Sequence, residues 1–288
     1  MSLPLIFGAA AVGIGSIAWF RNRSVKAEKG VFSAFGWQTL RLDSYEDLNS
    51  YTRKLRFALP DPNKPSGLPL TSALLTIAKP SHCRSFVIRP YTPVNHRDEP
   101  GYIELIVRNY STGKMSPHMH RLKPGDTITF VGPIPGLSWT PNKHPQLTML
   151  AGGAGITPMY QLIRGVLKNP EDKTRINMVW GCKEEDGMFL KDEFDALEKQ
   201  HPGRFKVTYI LELPRDRKQT AHRMGLLDQK ALEELGLDAK KEANKDTKVL
   251  VCGPPKMIKM LQGYNNFGTP VVGVLEKLGY NRDQVHYF

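Results

Sequence analysis

The stretch Arg89-Pro90-Tyr91-Thr92 lies in a strand-like part of the chain and is followed by Gly113-Lys114-Met115-Ser116. Side chains alternate between the faces of a strand, so Arg89 and Tyr91 are predicted to point to the same side. A guanidinium can pair with phosphates, an aromatic ring can stack on a flat heterocycle, and the Thr92 hydroxyl can hydrogen-bond to the heterocycle's polar edge. This combination indicates a flavin dinucleotide site. An ordinary edge strand with one exposed Arg is the alternative.

The sequence on the two sides of residue 145 follows two different patterns. From Trp37 to about Thr140, short alternating runs are separated by Pro, Gly, Asp and Asn, which is typical of an antiparallel sandwich or barrel. After Pro145, apolar strands alternate with helical patterns, which predicts a doubly wound parallel sheet. We therefore expect a two-domain α+β fold, with an antiparallel β-barrel over residues 36–143 and a parallel α/β domain over residues 144–288.

The composition is that of a globular protein large enough for two cores. The chain has 288 residues, of which 40% are hydrophobic. Its three cysteines, Cys83, Cys182 and Cys252, form no C-x-x-C pair. The sequence therefore predicts neither a metal site nor a disulfide framework.

The chain is basic, with a formal net charge of +12. Residues 31–145 carry fourteen Lys and Arg against eight Asp and Glu, a net +6, so much of the excess lies in the predicted barrel. Such a surface attracts an acidic protein or an anionic lipid surface. No nucleic-acid recognition motif is present, so we expect no nucleic-acid partner. A solvated basic face without a partner is the alternative.

The N-terminus has the pattern of a membrane anchor. Residues 3–20 contain no charge, and Arg21, Arg23, Lys26 and Lys29 follow at once. Eighteen helical residues would span ~27 Å, just enough for the hydrocarbon layer. The charges follow the apolar run, unlike those of a cleaved signal, and predict that the large C-terminal part stays on the cytosolic side. We expect a transmembrane anchor over residues 1–20 and a polar stem over residues 21–35, with a removed signal as the alternative.

The stretch from Gly113 to Pro117 is predicted to be a glycine turn that leads into a helix. Ser116 would be the N-cap and Pro117 the first helical residue. The free N–H groups of such a turn can bind a pyrophosphate. A capped surface turn without a ligand is the alternative.

Two further turns are predicted at one edge of the parallel sheet. Gly152-Gly153-Ala154-Gly155-Ile156-Thr157-Pro158 follows a strand and opens a helix, and Cys252-Gly253-Pro254-Pro255 follows a later strand. Ligands of open α/β sheets bind along the edge where the strands end. Glu212 closes another strand and could hold a ribose diol while repelling a 2′-phosphate. Unliganded turns and an ordinary surface glutamate are the alternatives.

The four motifs, in this order and spacing, resemble those of the ferredoxin-reductase-like flavoenzymes and, within them, the NADH–cytochrome b5 reductases. The apolar N-terminus, the stretch Gly132-Pro133-Ile134-Pro135 and the C-terminal sequence resemble the fungal mitochondrial form. The resemblance covers residues 37–288 and implies FAD and NADH as cofactors. It also implies an acidic, cytochrome b5-like haem protein as partner, and a single-pass anchor in the mitochondrial outer membrane through residues 3–20. A cleaved soluble form in the intermembrane space is a further expectation of this kind.

The resemblance also implies roles for individual residues. Tyr91, Thr92 and Cys252 would lie where hydride passes from nicotinamide to flavin, a step that needs alignment of two rings and no acid–base pair. The residues expected to bind FAD or NADH are Arg89, Pro90, Tyr91, Thr92, Val107, Arg108, Tyr110, Gly113, Lys114, Met115, Ser116, Gly153, Thr157, Pro158, Glu212, Cys252, Gly253, Pro254 and Met257.

Some positions depart from the family's usual residues, and two other functions stay open. Ala154, Arg108, Cys182 and Glu184 stand where Thr, Lys, Asn and Thr are more usual, and the last two leave the adenine-side contacts open. The same flavin chemistry could serve another acceptor, such as a quinone, a ferric chelate or an oxygenase partner. A membrane-tethered binding module without turnover is the non-enzyme alternative.

Overall fold

The computed structural model describes most of the chain, namely residues 30–32, 35–216, 222–241, 244–266 and 269–288. The predicted anchor over residues 1–20, and the predicted stem apart from residues 30–32 and 35, lie outside these ranges. Within them, no helix is both long and apolar enough to cross a membrane.

The first half of the chain forms an antiparallel sheet of six strands. Their bounds are β1 Gly36–Asn49, β2 Thr52–Ala58, β3 Ala73–Ala78, β4 Val87–Tyr91, β5 Tyr102–Arg108 and β6 Thr127–Ile134. The strand order is β4-β3-β6-β1-β2-β5, and among the described residues no strand pair joins β4 to β5. The predicted antiparallel barrel is thus found as an open half-barrel. A short helix, α1 Ser116–Arg121, buries Met119 in the core of this sheet.

Alternation along the strands decides which face of this sheet is the core. In β1, Leu40 and Leu42 are buried, whereas Thr39 and Arg41 are exposed. A strand with this period of two presents one apolar and one solvated face. The core contains large side chains from several strands, including Leu55, Phe57, Ile103, Leu105 and Phe130.

The second half of the chain forms a parallel sheet with helices on both faces. Its strands are β7 Gln146–Gly152, β8 Arg175–Cys182, β9 Phe205–Leu211, β10 Arg223–Met224, β11 Thr247–Cys252 and β14 Val285–Tyr287, in the order β10-β9-β8-β7-β11-β14. The helices are α2 Ile156–Lys168, α3 Lys191–Gln200, α4 Gln229–Glu234, α5 Pro255–Gln262 and α6 Val274–Lys277, and a hairpin is formed by β12 Gly263–Asn266 and β13 Thr269–Val272.

Two cores flank the parallel sheet. Every residue of β7 is buried, as expected for a strand covered on both faces. Met149 packs with α2 and α3 on one side, and Leu150 packs with α4, α5 and α6 on the other. The predicted doubly wound arrangement agrees with these two cores.

The two sheets are packed together through α2 and the segment after β4. Gln161 Nε2 donates to the carbonyl oxygen of Pro93 at 2.9 Å, and Arg164 Nη1 donates to that of Val94 at 3.0 Å. Ile106 of β5 belongs to the same buried cluster as α2. The last strand of the first sheet ends at Ile134 and the first strand of the second begins at Gln146. The predicted domain boundary at residues 143–144 falls in this connection and stays a prediction.

Candidate functional site

A cleft of about 920 Å³ lies between the two sheets. It opens where β7 and β11 end, the edge at which α/β sheets bind ligands. The first half of the chain contributes Thr71, Ala73, Arg89, Pro90, Tyr91, Thr92, Ile106, Arg108, Tyr110, Thr112, Gly113, Lys114, Met115, Ser116, Ile134, Pro135 and Gly136. The second half contributes Gly152, Ala154, Gly155, Thr157, Pro158, Cys252, Gly253, Pro254, Pro255, His286, Tyr287 and Phe288.

The β4 edge places a cation and a phenol in the cleft wall. Arg89 lies opposite Thr76 of β3, whose hydroxyl donates to the carbonyl oxygen of Arg89 at 3.0 Å. The exposed Arg89 guanidinium donates to the carbonyl oxygen of Ile88 at 2.8 Å, and its other N–H groups can reach a ligand. Burial raises the pKa of Tyr91 to about 12, although Arg89 acts in the opposite direction. Tyr91 is therefore a neutral phenol at neutral pH.

The turn after β5 is closed by main-chain and hydroxyl contacts. The Gly113 amide donates to the carbonyl oxygen of Tyr110 at 2.7 Å, and Ser116 Oγ accepts from the Tyr110 amide at 3.1 Å. A Cβ on Gly113 would lie 2.8 Å from Ser116 Oγ and 2.9 Å from the Tyr110 carbonyl oxygen, so only glycine fits. The prediction that Ser116 is the N-cap is wrong, because the cap residue is Met115 and the Ser116 hydroxyl is engaged by Tyr110.

Arg108 extends from the end of β5 towards the parallel sheet. Its guanidinium carbon lies 4.6 Å from the centre of the Tyr51 ring and 5.8 Å from that of Tyr110. A Cβ on Gly153 would lie 3.4 Å from Arg108 Nη1, so the cation reaches the glycine turn after β7. Gly153 has φ +52° and its carbonyl oxygen accepts from Trp180 Nε1 at 3.0 Å. The turn is therefore held in a conformation that favours glycine.

The turns after β7 and β11 are in direct contact. The two strands are parallel neighbours, with Ala151 opposite Cys252. A Cβ on Gly155 would lie only 2.3 Å from the carbonyl oxygen of Cys252. Met257 packs behind the turns, because a Cβ on Gly152 would lie 2.7 Å from its sulfur. The close approach of two backbones explains why both turns are rich in glycine.

The charges of the residues that line the cleft favour an anionic ligand. Its lining residues include the cations Arg89, Arg108 and Lys114 and contain no Asp or Glu. Burial raises the pKa of the Cys252 thiol to about 11, so the thiol is neutral at neutral pH and is a poor nucleophile. These groups fit a ligand that carries several phosphates, and they offer main-chain N–H groups and a neutral surface to its rings.

The C-terminus forms a part of the cleft that the motifs did not predict. β14 pairs in parallel with β11, and the Phe288 amide donates to the carbonyl oxygen of Val251 at 3.1 Å. The rings of His286 and Phe288 meet edge to face, with centroids 4.8 Å apart. Burial and the nearby charge of Lys248 lower the pKa of His286, so the imidazole is neutral at neutral pH. With three residues, this strand is too short for an alternating pattern to indicate it.

Four predicted binding residues do not line the cleft. The side chain of Val107 is buried in the core of the half-barrel, and Gly153 and Met257 lie beside and behind the wall. Glu212 follows β9 and is exposed, and its amide donates to the carbonyl oxygen of Cys182 at 3.0 Å. β8 lies between β9 and β7, so Glu212 is separated from the glycine turn by one strand. Roles for these residues stay predictions.

Comparisons with known proteins agree with this division of the chain. Residues 39–139 match the family model described as an oxidoreductase FAD-binding domain, and residues 149–263 match that of an oxidoreductase NAD-binding domain. A protein of Pyricularia oryzae named NADH-cytochrome b5 reductase 2 is 41% identical over 283 residues, which cover 96% of this chain and 82% of its own. The protein of the same name from Aspergillus fumigatus is 39% identical, with coverages of 99% and 90%.

A solved structure has the same architecture. The cytochrome b5 reductase domain of Ulva prolifera nitrate reductase superposes with a TM-score of 0.74 at 26% identity, covering 88% of this chain and 97% of that domain. The human Ncb5or domains superpose with a TM-score of 0.71 at 20% identity, covering 88% and 70%, which bears on the fold alone. With its two cofactor-binding domains and its relatives near 40% identity over almost its whole length, the chain belongs to the NADH–cytochrome b5 reductase family.

Proposed function

We propose that this protein oxidises NADH through a bound FAD and passes the electrons one at a time to cytochrome b5. The observation that carries the proposal is the cleft itself. There the Arg89–Thr92 strand and the 113–116 turn of one sheet meet the two glycine turns of the other, with three cations and no carboxylate in the wall. When bound, FAD supplies the conversion between a hydride and single electrons.

On the FAD side, the residues of the half-barrel would bind the cofactor and orient its ring. Arg89 and residues 113–116 would hold the pyrophosphate, because both line the cleft and the Arg89 guanidinium has N–H groups left to donate. The neutral ring of Tyr91 would pack on the isoalloxazine, and the Thr92 hydroxyl would hydrogen-bond to its polar edge. These contacts fix the position of the ring, and none of these side chains needs to gain or lose a proton.

On the NADH side, the residues of the parallel sheet bring the nicotinamide to the flavin. The turns at Gly155 and Cys252 are in contact, so a ligand lying on them is placed against the half-barrel wall. Thr157 opens α2 in the cleft, and its hydroxyl donates to the carbonyl oxygen of Ala154 at 3.3 Å. A neutral Cys252 thiol would exclude water beside the nicotinamide without adding charge. Glu212 would hold the adenosine ribose and disfavour a 2′-phosphate.

The proposed location is the mitochondrial outer membrane, with residues 3–20 as a single-pass anchor. The uncharged segment and the four cations that follow it support this proposal. An anchored reductase and an acidic, cytochrome b5-like acceptor would meet on one membrane surface, where the basic half-barrel favours their encounter.

The test uses the purified full chain. We expect a yellow protein whose flavin absorption is bleached by NADH, with cytochrome b5 reduced faster by NADH than by NADPH. Added salt should slow reduction of cytochrome b5 more than reduction of ferricyanide, since surface charges are screened. A colourless protein that takes up no FAD would overturn the enzyme assignment. Bleaching by NADH with electron transfer only to a quinone, a ferric chelate or an oxygenase partner would overturn the proposed acceptor.

A further inference from the structure

The outward side of the half-barrel carries an apolar surface that the cleft chemistry does not use. We call it the outer apolar face; it consists of Trp37, Leu75, Ile77, Ile88 and Val131 in the strands, together with exposed Phe86 immediately before β4. Trp37 lies opposite Val131, Val131 opposite Leu75, and Ile77 opposite Ile88. Residues that lie directly opposite each other share a face of the sheet. The face therefore runs without interruption across β1, β6, β3 and β4.

The large side chains of this face are exposed. Trp37 is 78% exposed, Phe86 68% and Ile88 47%. A contiguous apolar patch of this kind on a soluble surface marks an interaction site.

Another part of the same sheet surface carries paired charges. On β1, β2 and β5, Arg56 bonds Glu104 at 2.8 Å and Lys54 bonds Glu46 at 2.7 Å. The six residues of the outer apolar face include no charged side chain. The part of the sheet with paired charges is thus suited to contact with water, whereas the outer apolar face is suited to an apolar partner.

The order of the chain indicates which partner this is. Trp37 is the second residue of β1, and sixteen residues separate it from Phe20, the end of the uncharged segment over residues 3–20. Even fully extended, that connection spans at most roughly 60 Å. The chain is already fixed to the fold before Trp37, because the amides of Val31 and Phe32 donate to the carbonyl oxygens of Pro65 and Ser66. Only residues 21–29 therefore lie between Phe20 and the first described residue, Gly30, and an anchor in the bilayer would bring the outer apolar face within reach of the membrane surface.

The chemistry of the face fits the boundary between lipid headgroups and acyl chains. Tryptophan is the side chain most typical of that boundary. Lys79 and Arg84 are exposed in the connection between β3 and β4, next to Phe86, and can pair with lipid phosphates. We propose that the outer apolar face rests on the surface of the bilayer that holds residues 3–20, an inference that depends on the proposed anchor.

This docking would fix the height of the cleft above the membrane. Ile88 belongs to the outer apolar face, while its neighbour Arg89 lines the cleft, so one strand carries both surfaces. A reductase held in this way presents its cleft at one distance from the bilayer. A haem protein anchored in the same membrane would then meet it by lateral diffusion at a raised effective concentration.

The experiment uses the full chain with Trp19→Phe, reconstituted in vesicles of zwitterionic and anionic lipids whose acyl chains carry bromine. Trp180 is buried and Trp139 half-buried, so they provide a baseline of unquenched emission. We expect a loss of Trp37 emission that is larger when bromine lies near the headgroup than deep in the chain. The loss should vanish when Trp37→Phe is added. Phe86→Ser with Ile88→Ser should reduce the loss, whereas Leu226→Ser, at a site 56% exposed in the other half of the molecule, should not.

Flotation of the same vesicles separates the two proposals. Protein that floats with the vesicles but keeps its full Trp37 emission would overturn docking of the face and leave the anchor in place. Protein that stays at the bottom of the gradient would overturn both. Protection of Trp37 from iodide without quenching by bromine would also overturn bilayer docking, since residues 3–20 or a second copy of the chain would then cover the face.

Discussion

Gly155→Ala tests whether contact between the two glycine turns positions the NADH side of the cleft. The added Cβ would lie 2.3 Å from the carbonyl oxygen of Cys252, 2.5 Å from its carbonyl carbon and 2.7 Å from the amide nitrogen of Gly253. All three are main-chain atoms at the end of β11, so no side-chain rotation can relieve the overlap. The turns after β7 and β11 must move apart.

The loss of folding free energy in Gly155→Ala can be estimated from the rigidity of the contact between the turns. Overpacking a well-packed site costs about 1–3 kcal/mol, and here the upper part of that range applies because backbone must shift. For a protein of this size, 1 kcal/mol lowers the melting temperature by roughly 2–4 °C, so a fall of roughly 4–12 °C is expected. The displaced turn leads into Thr157 and Pro158 of the cleft wall, so the KM for NADH should rise while the affinity for FAD is kept.

The matched control is Gly36→Ala in β1. A Cβ there meets no atom within 4 Å, and Gly36 does not have a left-handed backbone conformation. Its melting temperature and its KM for NADH should stay at the wild-type values. The two variants are compared by thermal unfolding, by steady-state kinetics with ferricyanide and by flavin titration of the apoprotein. If Gly155→Ala behaves like Gly36→Ala in all three measurements, the contact between the turns does not position the NADH site.

Three further changes test single groups of the cleft. Arg89→Lys keeps the charge but removes the guanidinium fork, so FAD affinity in a flavin titration should fall about tenfold or more, with exposed Arg84→Lys unchanged; equal affinities would exclude Arg89 from FAD binding. Glu212→Ala should raise kcat/KM for NADPH relative to NADH, and a constant ratio would remove Glu212 from nucleotide selection. Burial raises the pKa of Cys252 from 9.0 to about 11, so its contribution to stability is complete below pH 9 and is lost as the pH rises towards 11. In urea unfolding, Cys252→Ala should therefore lose less stability than the wild type over that interval, and parallel losses would contradict the buried neutral thiol.

The sequence predicts those elements whose local pattern is strong. The structure places α3 at Lys191–Gln200, β9 at Phe205–Leu211 and α5 at Pro255–Gln262, all in the half of the chain where the sequence predicts alternating strands and helices. In α5, Pro255 at the first turn and Gly263 after the last residue mark both ends. The short elements were missed. β10 at Arg223–Met224 and β14 at Val285–Tyr287 are too short for a period and depend on pairing with β9 and β11.

The arrangement of strands in the first sheet could not be predicted in the same way. Alternation identifies which residues of β1 face the core, but a closed barrel and an open half-barrel require the same alternation. The strand order β4-β3-β6-β1-β2-β5 depends on packing between residues far apart in sequence.

The residues of the candidate site also fall into those that a local pattern predicts and those that only the fold brings together. Residues within a motif, such as Arg89 and Cys252, lie in the cleft, because each motif is a local turn or strand end. Phe288 and Thr71 reach the cleft only through the fold, the first by pairing of β14 with β11 and the second in a loop where its φ is 66°. The sequence predicted Ser116 as a helix cap, but its hydroxyl accepts from the Tyr110 amide instead, since a serine can cap a helix or a neighbouring turn equally well.

The residues that would bind the cofactor phosphates and those that would position the reacting rings lie on different sheets. This separation favours hydride transfer at the site. The cations of the cleft, Arg89, Arg108 and Lys114, stand on the half-barrel, whereas the glycine turns of the parallel sheet supply close backbone contact and a neutral thiol. Among the turns Cys252 is held in its neutral form, and the neutral imidazole of His286 stands apart from them on β14. Transfer of a hydride between two bound rings requires only that they be aligned and kept dry. Changes to the cations should therefore alter the affinity for FAD, and changes to the turns should alter the KM for NADH.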